Sequence, residues 1–494
     1  MTRPTHLLTA VGRRIDPLPA TQIAIRRLAR AATGLLAVIA APGIVAAQAA
    51  PGARVPADSS AVLSLSDAMR EADRLGFANR MAVATADADR ARARMPLKGI
   101  LPSARVEAGL VRTTDPIGAF GTTLRQRLVT PAAFDPARLN NPPAVTNALG
   151  GLVLEVPLLN ADAYVGLRAA RSASNASQSA AEWTAITMRA NVVRAYYGAV
   201  LAAEKMTMLE QARRAADAAM RQVQSMLQQG LVTKADVLQA DVRATEVASQ
   251  LIGARNEALT AKQQLGMLLG RTDGSLPMLP AALPSDSVVR VYAERDMSGA
   301  FSSADAGSRA DVRAAHAGAI AANSDRLRAN AALLPRVNSF ARYDWNAPSG
   351  PFAGRKNWTV GLMATWSLFG GGSELADIAV ATARAAGAKA GEQAALAQGA
   401  AEADATRRGV VVALERLDLA ARAATQSLEA HRLVEKRYAG GLATIAELLG
   451  AESSATGAAL ARSAARFTLL DAIATHRRAI GADPADLASL DTAR

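Results

Sequence analysis

The sequence predicts a mainly α-helical chain with a transmembrane β-barrel portion: a long helical tube plus four β-strands per chain. Three observations carry this. The chain repeats itself about 210 residues apart. Each half contains a proline-free stretch too long for a compact domain. Ahead of each such stretch lies a pair of alternating segments. The repeat is explicit: Gly230-Leu231-Val232-Thr233-Lys234-Ala235-Asp236-Val237-Leu238 returns as Gly441-Leu442-Ala443-Thr444-Ile445-Ala446-Glu447-Leu448-Leu449, a shift of 211. Gly151-Leu152 returns as Gly361-Leu362, a shift of 210, and Leu101-Pro102 returns as Leu334-Pro335, a shift of 233. Order is kept throughout, and the period is too long for a solenoid.

The first element is a targeting segment, 1–49. Arg26, Arg27 and Arg30 precede the apolar run from Leu35 to Ala41, and Ala47-Gln48-Ala49 follows as a cleavage candidate. Basic, apolar, small is the order of a secretory signal peptide. Its loss removes six Arg and one Asp, which lowers the formal charge from +13 to +8 and takes away the main support for a nucleic-acid partner. No later segment has the roughly 20 uncharged apolar residues of a membrane helix. A chain without one enters a membrane only as a closed β-barrel.

The first repeat spans 50–270. Leu65 to about Lys98 reads as helix broken near Gly76, and Leu101-Pro102 stops it. Val106, Ala108 and Leu110 then alternate with Arg105, Glu107 and Gly109, the period of a strand. A loop rich in Pro and Asn covers Thr130 to Pro143, and a second strand carries Leu152, Leu154, Val156 and Leu158 on one face. From Ala161 to Gln229 a helix of coiled-coil period follows, about 100 Å long at 1.5 Å per residue. The segment after Gly230 returns as far as Gly270. Residues 271–308 read as a crossover connection. The second repeat, 309–481, has the same plan: helix from Asp311 to Leu333, strands from Pro335 to about Trp345 and from Trp358 to Leu368, helix from Ser373 to Ala439, and a return from Gly441. A short tail, 482–494, ends the chain.

Alanine-rich composition with only 4% aromatics suits narrow helix seams. In the fourth strand Trp358, Val360, Leu362, Ala364, Trp366 and Leu368 share one face. The two Trp stand about 27 Å apart along it. Together with Tyr343 and Trp345 they read as a membrane aromatic girdle. Four strands do not close a barrel, and open edges do not survive in lipid. Strands must therefore be pooled between copies: two copies give eight strands, three give twelve.

On these residues, and on Trp366-Ser367-Leu368-Phe369-Gly370-Gly371-Gly372, the chain resembles the TolC-type outer-membrane efflux family over its whole mature length. The resemblance implies a homotrimer in outer-membrane lipid, closing a twelve-stranded barrel above a helical tube that extends into the periplasm. It implies an equatorial region built from the crossover and the tail. It implies an exit duct for a tripartite efflux or type I secretion system, partnered by a periplasmic adaptor and an inner-membrane pump of RND, ABC or MFS type. Gly230, Leu231, Gly441 and Leu442 fall at the periplasmic tip as adaptor contacts. Asp236, Tyr438 and Glu447 fall at the periplasmic gate. Ala443 stands where members carry an arginine, so Asp236 lacks its usual partner, with Arg437 and Lys234 as substitutes. A threefold ring of Glu447 would favour cations; as a plain helix-start acid it would only complement the dipole. The extra 23 residues between Pro102 and Gly151, against Pro335 to Gly361, are assigned to the first extracellular loop.

No catalytic constellation appears. His316, His431 and His476 are isolated, the triple glycine lacks the Lys-Ser/Thr of a phosphate loop, and no enzyme activity, metal or cofactor is expected. The competing reading is a periplasmic or secreted coiled-coil adaptor with a small soluble sheet.

Overall fold

The computed structural model describes residues 62–272, 276–298 and 307–491. The expected signal segment lies outside the described residues. The chain divides into two compact units, one containing Leu97–Ala161 and Leu334–Leu368, the other containing Asp162–Leu333, the segment ending at Pro96 and everything from Phe369 onward. Each half of the sequence contributes to both.

The strand unit is one antiparallel sheet in the order β1 (Ser103–Thr113), β2 (Val145–Leu159), β3 (Arg336–Ala347), β4 (Arg355–Thr365). All three pairings are in long register, from Ser103 opposite Glu155 to Asn346 opposite Arg355. The register between β2 and β3 shifts between Pro157 and Leu159, where proline cannot donate to the ladder. β4 begins three residues before the expected Trp358 and ends at Thr365, so Trp366 and Leu368 lie beyond the strand. β2 runs seven residues further upstream than its Leu152–Leu158 alternation suggests.

The β1–β2 connection is folded rather than a plain loop. It holds two helices, α3 (Pro116–Arg125) and α4 (Pro136–Asn140), with a 3-10 turn at Pro131–Phe134. Asp115 and Asp135 cap the helices, accepting from Gly118 N at 2.6 Å and Ala137 N at 3.0 Å. Each is followed by proline at the first helical position, where a missing N–H costs nothing. Two Asp-Pro pairs were the available signal for these helices.

In the helical unit, α1 (Leu65–Leu75) and α2 (Phe77–Arg92) meet at Gly76, where a Cβ would stand 2.4 Å from Ala72 O. α2 stops six residues short of the expected Lys98 because Pro96 enters a 3-10 turn at Met95–Gly99. α5 (Ala161–Gln228) and α9 (Ser373–Ala439) are single helices of 68 and 67 residues. Their return partners are α6 (Lys234–Leu268) and α10 (Ile445–Ala479), of 35 residues each. α7 (Asp286–Ser298) occupies the crossover, and α8 (Ala310–Ala331) leads to β3.

The core lies part-way along the long helices. Val192, Tyr196, Tyr197 and Val200 of α5 meet Val410 and Leu417 of α9 and Leu469, Leu470 and Ile473 of α10, all fully buried or nearly so. Leu283, Val289 and Ala293 from the crossover and Leu487 from the tail close this core. Each fully buried Leu, Ile or Val contributes about 1.5–3 kcal/mol of transfer free energy. Polar groups lock the crossover in place. The buried Glu204 carboxylate accepts from Leu283 N at 3.1 Å, Ser463 Oγ at 2.7 Å and Arg466 at 2.8 Å. Arg309, 2% exposed, donates to Ala479 O at 2.6 Å and Glu402 at 2.9 Å, with its guanidinium 4.7 Å from the Trp183 ring centre. Buried charges need this degree of pairing.

Candidate functional site: a two-faced sheet and two hairpin tips

Because residues opposite one another in register share a face, the sheet sorts its side chains into two sets. On one face lie Val106, Ala108 and Leu110 of β1, Leu152, Leu154 and Val156 of β2, Ala341, Tyr343 and Trp345 of β3, and Trp358, Val360 and Leu362 of β4. Trp358 is 74% exposed there. Tyr343 stands opposite Trp358 and packs edge-on against Trp345, ring centres 4.8 Å apart. Phe352, from the β3–β4 turn, packs on Trp345 at 5.5 Å and fills the space that a side chain at Gly150 would need.

The other face is charged. Arg105 reaches Glu107 at 3.2 Å and Glu155 at 3.4 Å, and Arg342 reaches Glu107 at 3.2 Å and Asp344 at 2.8 Å. One acid, Glu107, thus bridges arginines from β1 and β3. Asn147 donates to Asn346 at 2.8 Å near the loop end. An apolar face backed by a polar ladder is the arrangement of a strand set with lipid outside and water inside. The alternation around Arg105 was visible in the sequence; the ladder was not, since it needs the register.

The second part of the site is the pair of turns α5–α6 and α9–α10. Both end their long helix on a glycine in the left-handed region, Gly230 and Gly441, each at φ +73°. Gly230 N donates to Leu227 O and Leu231 N to Met226 O; Gly441 N donates to Tyr438 O and Leu442 N to Arg437 O. This is the Schellman closure of a helix C-terminus. It leaves Leu231 65% and Leu442 73% exposed. The return helices then start on matched capping boxes. Asp236 N donates to Thr233 Oγ1, and the Asp236 carboxylate accepts from Thr233 N at 2.8 Å. Glu447 N donates to Thr444 Oγ1, and Glu447 accepts from Thr444 N at 2.7 Å. Those backbone donors lower the pKa of both carboxyls.

The two tips pack on each other through Val223, Ala240, Ile445 and Leu449, with Tyr438 at the margin. The Tyr438 hydroxyl donates to Met226 Sδ at 3.7 Å, and burial, helped by the Asp236 charge, raises its pKa. Arg437, a substitute partner for Asp236, instead donates to Leu442 O at 3.1 Å within its own turn and lies near Glu447. Arg243, nearly buried, was missed; it sits between α6 and α10 beside Glu452, whose carboxyl burial pushes upward.

A family model described as outer membrane efflux protein matches residues 78–271 and 303–482, well over half of the chain. The chain belongs to the outer membrane efflux protein family. Membership places the protein in the outer membrane. Solved structures share the fold of this outer membrane efflux protein. A membrane protein from Pseudomonas aeruginosa superposes with a TM-score of 0.72 at 20% identity, covering 84% of this chain and 93% of its own. The CmeC outer membrane channel of Campylobacter jejuni gives 0.70 at 17%, covering 87% and 88%. VceC, an outer membrane protein of Vibrio cholerae, gives 0.68 at 20%, covering 85% and 96%. A comparison with curated proteins finds no match.

Proposed function

We propose that this outer membrane efflux protein is the passive exit duct of a tripartite pump or type I secretion system, working as a homotrimer. The observation that carries the reading is the two-faced sheet: an apolar, Trp-bearing face, a charged face, and edge strands β1 and β4 that pair with nothing in the described chain. Three copies joined β1 to β4 would supply twelve strands and remove every edge from lipid. Energy and cargo choice then belong to an inner-membrane pump, reached through a periplasmic adaptor. The exposed Leu231 and Leu442 are the adaptor contacts in this reading. Asp236, Tyr438 and Glu447 form the periplasmic gate.

The capping role of the two acids is compatible with that gate. Both bonds that the Glu447 carboxylate accepts from Thr444 land on Oε2, so in this reading a threefold ring of these side chains presents Oε1 to passing ions. The test is purification in detergent followed by planar-bilayer recording. A detergent-requiring trimer with cation-preferring conductance is expected, and Glu447→Gln should reduce that preference. A soluble monomer released by carbonate would overturn the reading in favour of a coiled-coil adaptor.

A further inference from the structure

The long β1–β2 connection does not stand away from the sheet. It is tied to the polar side of the sheet at the loop end of β2. The Gln126 side-chain amide donates to Asn147 Oδ1 and to Thr146 O, each at 2.9 Å. Asn147 points to the same side of β2 as Glu155, and it continues to Asn346 of β3. Gln126, Asn147 and Asn346 are all buried, at 4%, 7% and 2% exposure. At Thr146, β2 has run past its last pairing with β3, Ala148 opposite Ala347, so its carbonyl is available to accept. By contrast, the other connection at this end, β3–β4, folds to the apolar side through Phe352. The two loops therefore take opposite faces.

The connection is built to hold this pose. α3 ends in a Schellman closure, with Arg127 N on Leu124 O and Leu128 N on Thr123 O. The left-handed position is filled by Arg127 at φ 57°, where glycine is the usual residue. A side chain there costs free energy that the rest of the connection must offset. Ala119 is fully buried, and Phe120 of α3 packs edge-on against Phe134 at 5.7 Å. Gln126, the residue just before the strained position, is thereby aimed at the Asn pair.

We infer that the β1–β2 connection is a lid over the external mouth of the duct, held shut by the Gln126–Asn147–Asn346 latch. The inference rests on the barrel reading, because only a closed barrel makes the charged face a lumen. Three lids, one per copy, would converge on one axis and restrict what leaves. Opening breaks the latch and the packing of α3 but leaves the strand pairings in place.

The chain has no cysteine, so one introduced thiol reports on access. The probe is Thr359→Cys, on the charged face of β4, labelled in intact cells by a bulky membrane-impermeant maleimide. Access from outside is independent of the periplasmic gate. Gln126→Ala should speed labelling about tenfold, the scale on which losing one or two net hydrogen bonds shifts a two-state equilibrium. Replacing 116–142 by a short Gly-Ser turn should speed it at least as much. A Gln126→Cys/Asn147→Cys pair, without Thr359→Cys, should lower bilayer conductance when oxidised and restore it on reduction. Unchanged labelling in both lid variants, with wild-type conductance intact, would overturn the lid alone. Absence of any conductance from the wild-type trimer would overturn the barrel reading instead.

Discussion

Asp236 and Glu447 occupy equivalent positions in the two hairpins, and each is bonded to the threonine that opens its own return helix. The chemistry of a capping box explains the choice: a hydroxyl at the cap and an acid three residues on satisfy two backbone donors reciprocally. Removing a cap hydroxyl, by Thr233→Ala or Thr444→Ala, should cost about 1 kcal/mol of local helix stability, read as faster amide exchange confined to that tip. Both acids have folded pKa values below their ordinary ones. Their stabilisation is therefore present above the ordinary carboxylate range, near roughly pH 4, and is lost as pH falls through the lowered values. Tip exchange should accelerate only in that acidic window, and the Thr→Ala variants should show a weaker acceleration. At this scale the sequence was informative about residue type and position. It was silent on partners: Arg437 turns into its own turn at Leu442 rather than across to Asp236, a difference of side-chain direction that spacing does not encode.

Elements were legible where one physical demand ruled a long stretch. α9 begins at Ser373 and ends at Ala439, the bounds its proline-free pattern suggests, and α5 differs by a single residue. Strands were legible in face but not in extent, because their ends are set by pairing rather than by alternation. β2 continues to Val145 since β1 is there to pair with it. The helices of the β1–β2 connection went unseen because each is too short to show a period, although their Asp-Pro starts were in view. Glycines that look alike in sequence differ in consequence. At Gly230 a Cβ meets nothing within 4 Å, whereas at Gly270 it would stand 2.2 Å from Leu75 O. Gly230→Ala should therefore cost only the left-handed backbone penalty, about 1 kcal/mol. Gly270→Ala must also displace the end of α1, and a much larger drop in the thermal midpoint of the detergent-solubilised protein is expected. Equal midpoints for the two variants would contradict this account.

For the whole molecule, the duplicated plan, the four strands and the paired hairpins were all readable in the sequence, because each follows from length and period. The crossover helix α7 and the Arg309 and Glu204 clusters were not, since they depend on segments far apart in sequence coming together. If the tips carry an adaptor, its grip should depend on Leu231 and Leu442 together, as both project from the same paired turns. A Leu231→Asp/Leu442→Asp double variant should lose adaptor co-purification by tenfold or more, about 1.4 kcal/mol or greater, while keeping the circular dichroism and particle size of the wild type.

The register of the sheet also sets an order of assembly. β1 with β2 and β3 with β4 are hairpins, closed by connections of 31 and 7 residues between Thr113 and Val145 and between Ala347 and Arg355. The β2–β3 seam instead joins Ala148 to Ala347, across both arms of the first helical hairpin, the crossover and α8. Contacts of such sequence separation form late, after the local ones have shortened the effective loop. The helical hairpins are therefore expected to mature first, and the central seam of the sheet to be zipped afterwards.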